Sequence, residues 1–244
     1  MNAVTLSVVS HAQGALAKQL LADLDRLRSP LLHAVVVTLN LDESWSPPST
    51  VGGVPVLTLR NPRPLGFAAN HNQAFGHCAT PVFVIANPDV RLHEDPLPAL
   101  AQALDEPSCA LAVPWQVDGA GRTEDFRRRV PTPLRLLARA LARERRYTET
   151  SDMEWVAGSF MALRGEAYRG VGGFDAGYRL YCEDVDLCLR LQLAGWRMRV
   201  LPDTVVVHDA QRSSGSSGRH LRWHLMSFLR LWTSRAFWRY RKSP

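Results

Sequence analysis

Short apolar, β-branched runs alternate with segments of helical spacing along the first third of this chain, and that alternation restricts the fold more than any other feature. Val4–Ser10 reads as a strand, Ala15–Leu27 as a helix and the valine-rich His33–Leu39 as a second strand. After a loop marked by Pro47-Pro48 and Gly52-Gly53 come a strand at Val54–Leu59, a turn at Asn61–Pro64, a helix at Phe67–His77 and a buried strand at Pro81–Ala86. Strands separated by helices pair in parallel, since the crossover helix carries the chain back to the end where the previous strand began. The expectation is an α/β domain with a mostly parallel sheet flanked by helices, binding ligands at the carboxyl ends of its strands.

Further on, Glu94–Leu104 reads as a helix, Ala110–Val113 as a strand and Asp118–Gly121 as a hairpin turn. Trp155–Leu163 reads as a strand interrupted at Gly158-Ser159, and Met198–Leu201 with Thr204–Val207 as the strands that finish the sheet. The arginine-rich stretch Arg122–Arg146 suits a solvated helix after Pro133, with Leu134, Leu137 and Leu141 on its apolar side. At 244 residues, 46% of them hydrophobic, the chain suits one catalytic-sized domain over 1–212, with a hinge and a basic amphipathic tail over 213–244.

Charge is unevenly placed. Lys and Arg total 29 against 23 Asp and Glu, but seven of the basic residues lie in 219–244, which holds no acid; removing them leaves 22 basic against 23 acidic groups. The body is nearly neutral, which speaks against a nucleic-acid partner. In the tail, Leu221, Leu225, Phe228, Leu229, Trp232 and Ala236 share a helical stripe opposite Arg219, Arg230 and Arg241. That pattern suits an interfacial helix on an anionic membrane surface, and also a helix docked on the domain itself. Four cysteines without a Cys-x-x-Cys pair suggest neither zinc nor a disulfide framework, and no leader pattern precedes Val4, so a reduced cytoplasmic setting is expected. No apolar run is long enough to span a bilayer, so any membrane contact is expected to be peripheral, at the inner face of the cytoplasmic membrane.

The densest chemistry lies between Gly172 and Arg190, where a glycine turn runs into a helix whose first turn carries Glu183, Asp184 and Asp186. The helix dipole favours acids there, and Asp186 is spaced to pair with Arg190. One capping acid would suffice, however, and neighbouring carboxylates raise one another's pKa unless a cation or a proton-transfer role compensates. Asn87-Pro88-Asp89 follows a buried strand, so its carboxylate projects at the ligand edge of the sheet; the same tripeptide also serves as an ordinary turn.

Gly172-Gly173-Phe174-Asp175, Tyr181-x-Glu183-Asp184-Val185-Asp186-Leu187-Cys188-x-Arg190, Ala194-Gly195-Trp196, Pro202 and Val207-His208 follow in an order that resembles the catalytic domain of family 2 inverting glycosyltransferases. The likeness is greatest to bacterial rhamnosyltransferase-like members that build surface polysaccharides, and it covers roughly residues 4 to 210. It implies a single domain of the GT-A fold, in which Asp184, the second acid of the pair with Glu183, is the general base. Asp89 corresponds to the acid that coordinates a divalent cation, Mg²⁺ or Mn²⁺, on the donor diphosphate, with Asn87 where the family has another acid. A histidine at the place of His208 completes the metal site or contacts the diphosphate in some relatives.

Other resemblances bear on substrates. The run from Asn61 to Asn72 is similar to an element that lies against the nucleotide, which places Gly66, Asn70 and Asn72 at the donor. Thr38-Leu39-Asn40 stands where the family ends its second strand in Asp-Asn; Leu39 accepts no hydrogen bond, so base recognition falls to Ser10 and His11 or to Asp42, beside Asn40. Trp155 and Gly158-Ser159 match a segment near the acceptor, although a strand tryptophan also packs a core. The function implied is transfer of a sugar, such as rhamnose, from a dTDP- or UDP-sugar to a glycan or lipid-linked acceptor. The alternatives are a sugar nucleotidyltransferase of similar fold, and a degenerate, non-catalytic membrane-associated binding protein.

Overall fold

The computed structural model describes residues 3–142, 153–208 and 218–242, apart from the side chains of 139–142 and 218–219. Its first half runs β1 (Val4–Ser10), α1 (Gly14–Leu27), β2 (Leu32–Leu39), β3 (Thr50–Val51), β4 (Val54–Arg60), α2 (Phe67–Phe75), β5 (Val82–Ala86), β6 (Val90–Arg91), α3 (Leu97–Ala103) and β7 (Cys109–Val117). The second half runs β8 (Arg127–Arg128), α4 (Pro133–Ala142), β9 (Trp155–Val156), β10 (Phe160–Arg164), α5 (Gly165–Gly170), α6 (Glu183–Leu193), β11 (Arg197–His208), α7 (Gly218–Thr233) and α8 (Arg235–Lys242). The central sheet has the strand order β3-β4-β2-β1-β5-β10-β7-β11-β6.

The parallel pairings expected from the alternation are present: β1 pairs in parallel with β2 and β5, and β2 with β4. β5 is buried along its whole length, as a strand covered by helices on both faces must be. Apolar side chains of α1 and α3 cover one face of the sheet, whereas those of α2, α5, α6, α7 and α8 cover the other.

Besides the antiparallel edge strands β3 and β6 and the separate β8–β9 pair, which splits the strand expected at Trp155–Leu163 into β9 and β10, two features depart from the simple alternation. β10 lies antiparallel between β5 and β7, because the chain leaving β9 crosses the carboxyl end of β5 at Gly158-Ser159 and begins β10 there, with Phe160 opposite Ala86. The strands expected at Met198–Leu201 and Thr204–Val207 are one strand, β11, whose register shifts between Leu201 and Val205. A bulge of this kind bends the strand without ending it.

The expected hinge at Ser213–Gly218 lies, as far as residue 217, outside the described residues. Beyond it stand two helices rather than one, broken at Ser234, whose hydroxyl oxygen accepts the Phe237 N–H at 3.1 Å. Leu231 and Phe237 are fully buried in the second core, and Tyr240 reaches Gln192 of α6. The stripe read from the sequence is therefore divided. Phe228, Trp232 and Ala236 pack inward, while Leu221, Leu225 and Leu229 remain exposed.

The N-terminal and C-terminal halves of the ligand edge meet at Gly66, where a Cβ would stand 2.6 Å from the carbonyl oxygen of Arg179. The adjacent Phe67 N–H donates to that carbonyl at 3.1 Å, so neither backbone can retreat freely. Gly66→Ala is expected to cost about 1–3 kcal/mol in chemical denaturation. Gly170→Ala, where nothing lies within 4 Å of the added carbon, is the matched control and should be neutral or better.

Candidate functional site

α6 begins under strain. Tyr181 and Cys182 both have positive φ, at 74° and 65°, and this left-handed entry brings Glu183 and Asp184 to the first turn of the helix. Asp184 is half-buried. Its carboxylate accepts the N–H of Val185 at 2.8 Å and that of Gly158 at 3.2 Å. Burial pushes its pKa up, opposed by these two N–H groups and by the charge of Arg128. Glu183 is buried, and its Oε2 has no hydrogen-bond partner. Burial, with the Asp184 charge second, raises its pKa to about 8. Two backbone N–H donors and the Arg128 charge favour the ionised form of Asp184, whereas the unpartnered oxygen of Glu183 favours the protonated form of that neighbour.

Asp186 does different work. It is buried and bonds Arg190 at 2.7 Å, and Arg190 in turn donates to the carbonyls of Val171 and Gly173. The pair ties α6 to the Gly172-Gly173 turn; burial raises the Asp186 pKa against the pull of Arg190, so desolvation offsets the attraction, and removing either partner would leave the other buried and unpaired.

Asp89 and His208, remote in sequence, meet because β6 pairs antiparallel with the end of β11 and puts His208 across from Val90. His208 Nε2 lies 3.4 Å from Asp89 Oδ1, and that buried oxygen has no hydrogen-bond partner. An orphaned carboxylate oxygen beside an imidazole nitrogen fits two donors to a divalent cation whose remaining ligands come from outside the protein. Among the described residues, no third His, Cys, Asp or Glu joins them to make a closed metal site.

Gly158 and Ser159 join these two places. Gly158 donates its N–H to Asp184, and the Ser159 carbonyl accepts the Asn87 N–H at 2.8 Å, so the segment before Asp89 is fixed relative to the acid pair. The Ser159 hydroxyl bonds Gln116 inside the protein. Trp155 is buried and donates its indole N–H to the Arg129 carbonyl, so it packs beneath the site.

The residues expected at the donor form a polar cluster at the carboxyl ends of β1 and β2. Asn40 brackets Leu65, accepting its N–H at 2.8 Å and donating to its carbonyl at 3.0 Å, and lies 2.9 Å from the His11 ring. Asn61 bridges Asn40 and Asn70, and Asn70 donates to the Gly66 carbonyl at 3.0 Å. Desolvation lowers the pKa of His11, with the positive charge of Arg179 acting the same way and Glu43 opposing. Asn72 is apart from this cluster: its amide accepts from Tyr168 and the Phe174 N–H, and donates to the Phe174 carbonyl. Two residues not singled out in the sequence stand here. Glu43, next to the exposed Asp42, accepts from Ser10, the Ala12 N–H and Trp45; Arg179 places its charge near His11. An acid in a serine-rich loop carries no motif, so only folding shows that Glu43 turns inward.

Residues 82–242 match the model of the glycosyl transferase family group 2. The chain belongs to this family. Among curated relatives it is 44% identical over 91 residues to rhamnosyltransferase WbbL of Escherichia coli K12, covering 37% of this chain and 34% of that protein. It is also 31% identical over 147 residues to the N-acetylglucosaminyl-diphospho-decaprenol L-rhamnosyltransferase of Mycobacterium tuberculosis, over 54% of this chain and 48% of the relative. The matches thus span from a third to about half of the relatives' length. The fold is similar to that of a mannosyltransferase from Pyrobaculum calidifontis solved with GDP-Man and Mn²⁺, at a TM-score of 0.61 and 17% identity, over 94% of this chain and 64% of that one. The GT-A expectation for the fold therefore holds.

A carboxyl whose pKa is raised by folding binds its proton more tightly in the native state than in the unfolded chain. Stability should therefore fall as pH rises from the ordinary carboxyl range to about 8, where folded Glu183 finally ionises, and level off above it. Glu183→Gln should flatten that slope, leaving the variant more stable than the parent above pH 8 in denaturant titrations.

Proposed function

We propose that this chain transfers a sugar, a deoxyhexose such as rhamnose, from a dTDP- or UDP-sugar to a hydroxyl of a glycan or lipid-linked acceptor, with inversion, in cell-surface polysaccharide synthesis. The observation that carries this reading is Asp184. It is a half-buried carboxylate of raised pKa, held by the Gly158 N–H beside the buried Glu183 and fixed relative to Asp89 through Ser159. The acceptor hydroxyl gives its proton to Asp184 while its oxygen attacks the anomeric carbon from the face opposite the diphosphate. The bond from that carbon to the phosphate oxygen breaks, and the nucleoside diphosphate leaves with the electron pair. Removal of the proton in the transition state is general-base catalysis, and a pKa brought toward neutrality suits a base at physiological pH.

Asp89 and His208 would hold the divalent cation, which would neutralise the charge of the departing diphosphate. Ser10, His11, Asn40, Gly66, Asn70 and Asn87 line the donor side of this reading, and Gly158, Ser159 and Trp155 support the acceptor side. The names of the two rhamnosyltransferase relatives favour a deoxyhexose donor, and that of the second favours a lipid-linked acceptor. The reading places the enzyme peripherally at the inner membrane face, with 218–242, basic and carrying exposed leucines, as the contact. A sugar nucleotidyltransferase is disfavoured, since the Glu43 carboxylate takes the Ser10 hydroxyl and Ala12 N–H where such an enzyme would cradle phosphates.

Asp184→Asn and Asp89→Ala should fail differently. With a panel of dTDP- and UDP-sugars, Asp184→Asn should lose a factor of about a hundred to ten thousand in turnover while donor binding by calorimetry is nearly unchanged. Asp89→Ala should lose Mn²⁺-dependent donor binding as well. An Asp184→Asn rate within about tenfold of the parent refutes the base assignment.

A further inference from the structure

α7 has two faces, and each has a separate use. Its inner face grips the segment that leads into the acid pair. Arg230 forms a two-pronged ion pair with Asp175, at 2.8 and 2.9 Å, and the Ser227 hydroxyl donates to the Leu180 carbonyl at 2.8 Å. Tyr181 stacks on His224 with ring centroids 3.5 Å apart, and its hydroxyl lies 3.0 Å from His220 Nδ1. Gly177 makes room for this clasp, since a Cβ there would overlap the Arg230 guanidinium. The gripped residues end at Tyr181 and Cys182, the two positive-φ positions that aim Glu183 and Asp184.

The outer face is apolar and exposed. Leu221, Leu225 and Leu229, one turn apart, are 72%, 56% and 48% exposed, and Met226 beside them is 58% exposed. An uncovered leucine row of this length calls for an occupant. Charge decides among the candidates: apart from Arg230, which is paired with Asp175, residues 219–244 carry six basic groups and no acid, and on α8 exposed Arg235 and Lys242 accompany a half-exposed Trp238. A second copy of the chain would bring the same cations against these. A surface of anionic lipid neutralises them and takes leucine and tryptophan into its interfacial layer.

We infer that the outer face of α7 is the seat of this protein on anionic lipid, and that the inner face joins this seat mechanically to the segment 175–182 that positions Asp184. The inference rests on the peripheral reading given above and adds to it the residues that bind and the path by which binding reaches the site. Arg230 and Ser227 are positioning residues in this scheme. Membrane seating steadies α7, and with it the entry to α6, at the surface where a lipid-linked hydroxyl arrives.

The test uses the full chain with vesicles of phosphatidylcholine, with and without phosphatidylglycerol, and reads binding and protection without turnover, so it does not depend on the glycosyltransferase assignment. Flotation should require phosphatidylglycerol, weaken with added salt, and fall at least about tenfold in the triple variant L221Q/L225Q/L229Q. These side chains already face solvent, so the variant's thermal transition should match the parent's; that control separates lost binding from lost folding. Hydrogen exchange at 175–182 should slow in the parent on adding anionic vesicles. In Arg230→Ala the flotation should persist while this protection is lost, and Arg230→Lys, which keeps the charge but not the fork, should restore it only in part. Equal flotation of parent and triple variant overturns the lipid face, as does a triple variant that instead loses self-association. Protection confined to α7 and α8 overturns the coupling.

Discussion

The main chain at Gly158 and Ser159 ties the acid pair that opens α6 to the segment that precedes Asp89. One N–H reaches Asp184 and the next carbonyl takes the Asn87 N–H, so the acid at the start of α6 and the acid after β5 are held by the same rigid turn. That turn exists because β10 enters the sheet antiparallel, between β5 and β7, starting from the ligand edge. A Cβ at residue 158 would sit 3.3 Å from the Phe67 ring, so glycine also lets α2 close against the joint. Proximity of groups in fixed geometry is a large part of what a site contributes to a reaction, and here backbone hydrogen bonds supply it.

Burial then divides the labour of the acids. Glu183, Asp184 and Asp186 occupy one helical turn, yet they meet three environments: Glu183 has an unsatisfied oxygen in the core, half-buried Asp184 has two N–H donors, and Asp186 has Arg190. The cost of burying Glu183 falls on stability, while its neighbour keeps the hydrogen bonds that favour a charged carboxylate. A native structure that keeps such an orphan usually does so for the site it supports.

Polar side chains elsewhere are spent on shape. Asn40, Asn61 and Asn70 hydrogen-bond one another and the Leu65–Gly66 backbone, which fixes the loop that touches Arg179. Asn72 performs the same service for the Gly173-Phe174 turn. α7, gripping 175–182 from the outside, completes the enclosure of the entry to α6.

The sequence alone determined the layered α/β architecture, the acid-laden start of α6 and the acid after β5, because strand–helix periodicity and clustered carboxylates are local properties of the chain. Only the tertiary structure decided which acid is left with an unpartnered oxygen and which is supported as a carboxylate, since the Gly158 N–H and the Arg128 charge come from remote parts of the chain. It also decided that Asp89 meets His208, which follows from the pairing of β6 with β11, and that Asn72 turns away from Asn40 and toward Phe174. The antiparallel course of β10 was hidden for the same reason: a strand's propensity carries no direction, and its direction is set by where the chain must enter the sheet. The division of the C-terminal stripe into a buried and an exposed row was equally hidden, because a helix records which residues are apolar, while the surface it packs on selects which of them are covered.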